Sequence, residues 1–184
     1  MSLNIGVFCG SQLGRNRKHL LLTKDVANWI GRKNYNIIFG ASDIGLMKTL
    51  SKEAFKYNIK ILGIIPDFLL KNFETPKFVT DLIVTKTLEQ RKKHFITRSD
   101  CFIALPGGIG TLNEILDIMV KNELKEINKK IFLINDNDYW KPFIKILNHF
   151  IEQKFLEKKV FTSTINIMSL DNIKKEISKI NEKN

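Results

Sequence analysis

The segment CFIALPGGIGTLNEILDIMV, residues 101–120, contains the clearest indication of the fold. It opens with an unbroken apolar run, which is typical of a strand buried on both faces of a parallel sheet. A proline and three glycines follow, and beyond them apolar residues recur at helical spacing. The members of that apolar stripe are Leu112, Ile115, Leu116, Met119 and Val120. A buried strand, a glycine-rich turn and an amphipathic helix in this order predict one strand–loop–helix unit of an α/β fold.

The same alternation continues on both sides of this stretch. Further short apolar runs predict buried parallel strands at residues 4–9, 36–39, 60–65, 81–84 and 130–134. We predict helices at 88–98, 139–153 and 171–180, and an earlier one whose apolar stripe is Leu22, Val26, Trp29 and Ile30. Strands that alternate with helices this often predict an α/β fold with a doubly wound parallel sheet and helices on both faces. We expect a single domain over residues 1–184.

The composition favours a cytoplasmic protein without a membrane or nucleic-acid partner. The 184 residues suit one domain with a full hydrophobic core, and no apolar run approaches the roughly 18 residues that cross a bilayer. The net charge is +11, but 25 of the 30 basic residues are lysines that stand among acids. The excess charge therefore favours small phosphorylated anions over nucleic acid. Cys9 and Cys101 lie in apolar runs outside any CxxC motif, which predicts buried, reduced thiols.

Three of the predicted strand-to-helix loops contain glycine. The first is CGSQLG with Gly10 and Ser11, the second is FGASDIGLM with Gly40 and Gly45, and the third is LPGGIGT. The carboxyl ends of parallel strands share one edge of such a sheet, and ligands bind outside that edge. We therefore expect the three loops to line a single cleft.

The third loop has the features of a phosphate site. We predict that its glycines adopt backbone conformations closed to other residues and that Thr111 caps the following helix. Free amides at a helix N-terminus attract phosphate. The alternative is a tight turn in which Thr111 and Glu114 form a T-x-x-E capping box, but a plain turn does not need three glycines. The predicted phosphate contacts are Pro106, Gly107, Gly108, Ile109, Gly110 and Thr111.

Familiar cofactor motifs do not fit. Leu46 and Met47 stand where a P-loop requires lysine and a hydroxyl residue, and the first loop lacks the G-x-G-x-x-G fingerprint of dinucleotide binding. His19, His94 and His149 are isolated in the sequence, so no metal site is predicted. We expect a protein that uses neither a cofactor nor a metal.

Four segments together resemble the LOG (Lonely Guy) family over most of the chain. They are CGS, G-x-x-x-x-GLM, QRKKHFITRSDCFIALPGGIGTLNE and KFL. The resemblance implies a Rossmann-like fold, usually a homodimer, that needs no cofactor. It implies hydrolysis of the N-glycosidic bond of a nucleoside 5′-monophosphate, either AMP or a cytokinin riboside monophosphate. It further implies that Arg91 and Glu114 are catalytic and that Leu88, Lys92 and residues 107–111 contact the substrate.

The chemistry of these residues agrees with that reaction. A carboxylate near the ribose can stabilise the cation-like sugar or activate water. We expect Glu114 in the first turn of its helix, where the dipole favours the ionised form and hence a stabiliser or base rather than a proton donor. Arg91 could bind phosphate or ribose oxygens, although a solvated arginine is the alternative.

Two other functions stay open at this point. A nucleotide carrier or sensor without catalysis would keep the glycine loops but would not need Glu114. A nucleic-acid-binding module would explain the charge but not the three loops. The apolar stripes of the two helices after Leu88 and Thr111 are wider than one sheet face requires, which favours a two-fold interface.

Overall fold

The computed structural model describes residues 2–70, 77–135 and 138–181. Within these residues seven parallel strands form one sheet: β1 Asn4–Phe8, β2 Asn36–Phe39, β3 Ile61–Pro66, β4 Asp81–Thr85, β5 Cys101–Ala104, β6 Ile131–Ile134 and β7 Ile165–Met168. The helices are α1 Arg17–Arg32, α2 Gly45–Ala54, α3 Asp67–Leu70, α4 Leu88–Arg98, α5 Ile109–Glu123, α6 Lys141–Glu152, α7 Lys158–Thr164 and α8 Leu170–Asn181. A 3-10 turn spans Phe55–Tyr57.

The strand order creates a switch point at the centre of the sheet. The order is β4-β3-β2-β1-β5-β6-β7, so the chain builds one half of the sheet outward from β1 and then returns to β5 to build the other half. β1 pairs with β2 on one side and with β5 on the other, and Phe8 stands opposite Ala104 in the register. Ligands of doubly wound sheets bind at this point, because the loops after the two central strands diverge there.

Two apolar layers cover the faces of the sheet. Alternate residues of β1 enter different layers, since successive side chains of a strand point to opposite faces. Ile5 and Val7 pack with residues of α1, α2 and α8, while Phe8 packs with residues of α4, α5 and α6. The prediction of a doubly wound parallel sheet with helices on both faces is confirmed.

The predicted elements agree with the structure except at the C-terminal edge. Each predicted strand is present with ends that differ by at most one residue, and α4 has the predicted bounds. The strand β7 and the helix α7 were not predicted. β7 is an edge strand with one face partly exposed and a polar Asn166, so it lacks the continuous apolar run that marks the central strands.

The apolar stripe of α5 is wider than the face that the sheet covers, as predicted. Ile115 and Met119 are buried as expected, and Ile118 joins them. Leu116 and Val120 are nearly half exposed, because they lie on the side of the helix that faces away from the sheet. The predicted stripe of α1 is confirmed, since all four of its residues are buried. Both cysteines are free and buried, as predicted.

Among the described helices, none has the length and apolar character that crossing a membrane requires.

Candidate active site

A cavity of about 340 Å³ opens at the carboxyl ends of β1, β2, β3 and β5. All three glycine loops contribute to its wall, so the prediction of a single cleft is confirmed. Gly10 donates its N–H to the carbonyl oxygen of Pro106 at 3.1 Å, which ties the first loop to the third. Leu46 donates its N–H to the carbonyl oxygen of Gly10 at 3.1 Å, which ties the second loop to the first. The predicted site residues that line the cavity are Gly10, Ser11, Gly40, Arg91, Gly108, Ile109, Gly110, Thr111 and Glu114.

The helix of the phosphate loop begins three residues earlier than predicted, because its N-cap is Gly108 and not Thr111. Gly108 is the N-cap of α5 and makes no side-chain capping bond. Thr111 is therefore inside the helix, where its side chain is buried, and the prediction that it caps α5 is wrong. The T-x-x-E capping box is wrong for the same reason, since Glu114 lies in the second turn. Capping does not explain the presence of a glutamate at this position.

The glycines of this loop have a different role from the one predicted. None of Gly107, Gly108 and Gly110 has a positive φ, so the prediction of conformations closed to other residues is wrong. A Cβ on Gly107 would overlap the side chain of Thr111, which is a packing requirement. A Cβ on Gly108 or Gly110 would meet no atom within 4 Å. The protein's own packing leaves these two positions open beside the cavity, where a ligand can approach the backbone amides at the start of α5.

Arg91 and Glu114 form an ion pair at the cavity wall. Arg91 Nη2 lies 2.9 Å from Glu114 Oε1, and their side chains are only 16% and 12% exposed. Arg91 Nε also donates to the carbonyl oxygen of Ile64 at 3.1 Å, and its guanidinium lies 5.3 Å from the centre of the Phe95 ring. The alternative of a solvated arginine is wrong, because these contacts hold the side chain in one place. A Cβ on Gly40 would lie 2.5 Å from Arg91 Nη2, so glycine there makes room for the guanidinium.

The ionisation of Glu114 differs from the expectation. Burial raises the pKa of its carboxyl group from an ordinary value of 4.5 to about 7, although the charges of Arg91 and Lys92 oppose the rise. The expectation that the helix dipole holds this group ionised is wrong, because the residue lies past the first turn and is desolvated. Near neutral pH the carboxyl group can both accept and donate a proton. Burial together with the charge of Glu114 also raises the pKa of the Cys9 thiol, which lines the same cavity as a neutral group.

The remaining wall of the cavity is mostly apolar. Sequence reasoning missed these residues because apolar side chains at strand ends and in the first turn of a helix resemble ordinary core residues. Only their position in the sequence could have identified them, since each lies at or soon after the end of a strand at the ligand-binding edge. The lining residues that were missed are Val7, Cys9, Ser42, Met47, Ile65 and Leu69.

Five predicted site residues lie outside this cavity. Gly45 has a φ of +61°, and its backbone packs against that of Ser11, so glycine there serves the docking of α2 on the first loop. Lys92 Nζ lies 3.5 Å from Asn113 Oδ1 and 3.6 Å from Asp117 Oδ1. Leu88, Pro106 and Gly107 complete this set. Pro106 and Gly107 line a second cavity beside the first. Over the described residues, no three His, Cys, Asp or Glu side chains are grouped so that they could hold a metal ion.

The chain matches a known family and is similar to named proteins. Residues 47–178 match the family described as "Possible lysine decarboxylase". A cytokinin riboside 5′-monophosphate phosphoribohydrolase of Rhodococcoides fascians is 32% identical over 154 residues, which are 83% of this chain and 78% of that protein. A protein of the same name from Arabidopsis thaliana is 30% identical over 178 residues, which are 97% of this chain and 81% of that protein.

Solved structures share the fold. A molybdenum cofactor binding protein from Rippkaea orientalis aligns with a TM-score of 0.71 and 23% identity over 98% of both chains. The molybdenum cofactor carrier protein of Chlamydomonas reinhardtii aligns with a TM-score of 0.72 and 16% identity, over 97% of this chain and 98% of that one. At these identities the likeness shows the fold alone.

Proposed function

Because this chain belongs to the family described as possible lysine decarboxylase, and its curated relatives carry the name phosphoribohydrolase, we propose that it is a nucleotide N-glycosidase. The substrate is a nucleoside 5′-monophosphate, either AMP or a cytokinin riboside monophosphate, and the products are the free base and ribose 5-phosphate. The decarboxylase description fits the cavity poorly. A Schiff-base decarboxylase needs a lysine at the reacting centre, and the described residues that line this cavity include none.

One observation carries the proposal: a buried Arg91–Glu114 pair shares a cavity with two glycines that leave their Cβ positions open. The open edge at Gly108 and Gly110, at the start of α5, suits a phosphate. The apolar wall of Met47, Ile65 and Leu69 suits a planar base. Between them, the ribose of the bound nucleotide would lie against the carboxyl group of Glu114.

The reaction breaks the bond between C1′ of the ribose and the nitrogen of the base. Positive charge develops on the sugar, and an ionised Glu114 stabilises that charge or removes a proton from the attacking water. The water oxygen forms the new bond to C1′, and the base leaves with the bonding pair and takes up a proton. Arg91 holds the carboxylate in place and adds a positive charge that favours its ionised form. With its pKa near 7, Glu114 can exchange its proton at neutral pH.

The test is a product assay with the purified chain. AMP and N6-substituted AMP are incubated with the wild type and with Glu114→Gln, and free base and ribose 5-phosphate are separated by chromatography. We expect both products from the wild type in equal amounts and at least about a hundredfold less from the variant. A wild type that releases no base from any of these nucleotides would overturn the proposal.

The second candidate is a nucleotide carrier without catalysis. The fold is shared with molybdenum cofactor carrier proteins, so the fold by itself favours neither function. A carrier does not need a buried carboxyl group at Glu114. Burial of this group is unfavourable for its charged form, and a catalytic role would explain why the residue is nevertheless a glutamate. Tight binding of AMP without release of base, unchanged in Glu114→Gln, would favour the carrier.

The exposed apolar face of α5 supports a homodimer. Ile109, Leu116, Val120 and Leu124 fall on one side of the helix, and their side chains are between 41% and 86% exposed. Ile109 also lines the cavity, so the partner would lie beside the active site. We expect light scattering at micromolar concentration to give twice the chain mass of 21.3 kDa. Leu116→Glu should give the monomer, while Leu21→Glu, at an equally exposed leucine of α1, should not. A monomeric wild type would overturn this assembly.

A further inference from the structure

A second cavity of about 470 Å³ lies beside the first. Gly10, Ser11 and Gly108 line both cavities. The wall between the two is the hydrogen-bonded contact of the first and third loops, in which the Gly10 N–H meets the Pro106 carbonyl oxygen. The two cavities therefore meet at the glycine loops, while Arg91 and Glu114 belong to the first cavity alone.

The lining of the second cavity favours an anion. Arg15 contributes a positive charge to it, and no aspartate or glutamate is found among the described residues that line it. Asn16 and Gly108, the N-cap residues of α1 and α5, both line the cavity, so two helix N-termini begin at its wall. Arginine and helix N-termini are the groups with which proteins hold phosphate.

Polar side chains in this wall are held in place. The Tyr139 hydroxyl donates to the Gly107 carbonyl oxygen at 2.6 Å, and the rings of His19 and Tyr139 form a T-shaped contact with centroids 5.2 Å apart. The Nδ1 atom of His19 is buried and has no hydrogen-bond partner. Burial lowers the pKa of His19, so the imidazole is neutral at pH 7 and its ring nitrogens can donate and accept hydrogen bonds. Leu13 and Leu46 supply apolar surface.

We propose that the second cavity binds the distal half of a nucleotide whose 5′-phosphate is joined to a second phosphate, as in a nucleoside diphosphate linked to a sugar. The inference rests on the proposed function for the position of the first phosphate, at the glycines that the two cavities share. The second phosphate lies near Arg15, and the group attached to it lies against Leu13, His19 and Tyr139. The site is thereby extended from nucleoside monophosphates to pyrophosphate-linked nucleotides.

The test compares AMP, ADP and ADP-ribose by titration calorimetry. The full chain carries Glu114→Gln in every sample, so that no ligand is consumed and all comparisons share one background. We expect ADP-ribose to bind about tenfold more tightly than AMP, with ADP between them, since hydrogen bonds between charged groups have this magnitude. Arg15→Ala should remove that difference and leave the Kd for AMP within about twofold.

Two further variants control this comparison. Lys18→Ala removes an equally exposed positive charge at the start of α1 that does not line the cavity, and it should change neither affinity. Leu13→Trp adds bulk at an exposed position of the wall, so it should weaken ADP-ribose binding without altering the fold or AMP binding.

Three results would overturn the subsite: equal affinity for AMP and ADP-ribose, equal loss of both with Arg15→Ala, or the same loss with Lys18→Ala. These results do not depend on turnover, which separates them from a failure of the proposed function. If the wild type cleaves AMP but ADP-ribose binds no more tightly than AMP, the subsite is refuted and the hydrolase proposal stands. If the wild type cleaves none of the nucleotides but Arg15 contributes to the binding of ADP-ribose, the subsite is supported and the hydrolase proposal is refuted.

Discussion

Replacement of Glu114 by glutamine should change the pH dependence of stability in a calculable way. The pKa of the folded-state carboxyl group is about 7, against an ordinary value of 4.5. Between these values the folded protein holds a proton that the unfolded chain releases, so the free energy of unfolding falls as pH rises from about 4.5 to 7. At about 1.4 kcal/mol per pH unit, the loss is about 3 kcal/mol. Glutamine resembles the protonated acid and cannot ionise, so Glu114→Gln should not show this loss.

The measurement is a set of thermal melts of the wild type and Glu114→Gln between pH 4 and pH 8.5. For a chain of this size, about 3 kcal/mol corresponds to about 6–12 °C in Tm. We expect the Tm of the variant to rise relative to that of the wild type by this amount between about pH 4.5 and 7, and the difference to stay constant at higher pH. Glu123→Gln is the matched control, because Glu123 is an exposed glutamate of the same helix, and the same substitution there leaves the buried carboxyl group in place and should not reproduce the gain of Glu114→Gln.

A constant difference between the wild type and Glu114→Gln across this range would refute the raised pKa of Glu114. It would mean that water or a local movement relieves the burial of the carboxyl group. A difference that grows toward acid pH would refute it as well, since that is the sign of a carboxylate stabilised by its ion pair. The same samples give the activity, and the variant should retain its fold while AMP hydrolysis falls by about a hundredfold or more.

Three further predictions concern the same site. First, kcat/KM for AMP in the wild type should rise with pH with a midpoint near 7, because the ionised form of Glu114 stabilises the sugar cation or activates water. A profile that falls through this midpoint would make Glu114 the proton donor instead. Second, Arg91→Ala should lower turnover and move that midpoint upward, because the guanidinium lowers the pKa of Glu114; an unmoved midpoint would contradict the ion pair. Third, Gly108→Ala should leave Tm within about 2 °C of the wild type and raise the KM for AMP. Gly45→Ala should instead lower the free energy of unfolding by about 2 kcal/mol or more, because the φ of Gly45 is positive and a Cβ there would overlap the backbone of Ser11. The opposite pattern in the melts would contradict the open Cβ position at Gly108.

The sequence carried enough information to predict the central part of the fold. Buried strands such as residues 101–104 are continuous apolar runs, and a helix such as α1 has a repeating stripe, so both patterns are local. β7 could not be predicted, because the polar Asn166 interrupts its apolar run, whereas β4, the other edge strand, has an unbroken apolar run at residues 82–84 and was predicted. The sequence predicted that the apolar stripe of α5 is wider than the sheet requires, but it did not show which members are exposed, since Leu116 and Val120 are as apolar as the buried Ile115 and Met119.

The members of the candidate site were predictable in part, and their structural roles were not. Glycine-bearing loops and the shared edge of a parallel sheet were sufficient to place Gly10, Gly40 and Gly108 around one cleft. The predicted residues Pro106 and Gly107 line the second cavity instead, because the contact between the first and third loops separates them from the first. The T-x-x-E motif at Thr111 and Glu114 suggested a cap that the structure does not contain.

Hydrophobic periodicity and loop composition along the chain were enough to predict the alternation of strands and helices and the glycine-bearing loops at one edge of the sheet. Three features depend instead on the folded chain: the start of α5 at Ile109, the pairing of Arg91 with Glu114, and the pKa near 7 of the Glu114 carboxyl group. Desolvation and charge pairing involve atoms that folding brings together from distant parts of the chain. β3, α4 and α5 together surround this pair, and no local pattern records how deeply they bury it.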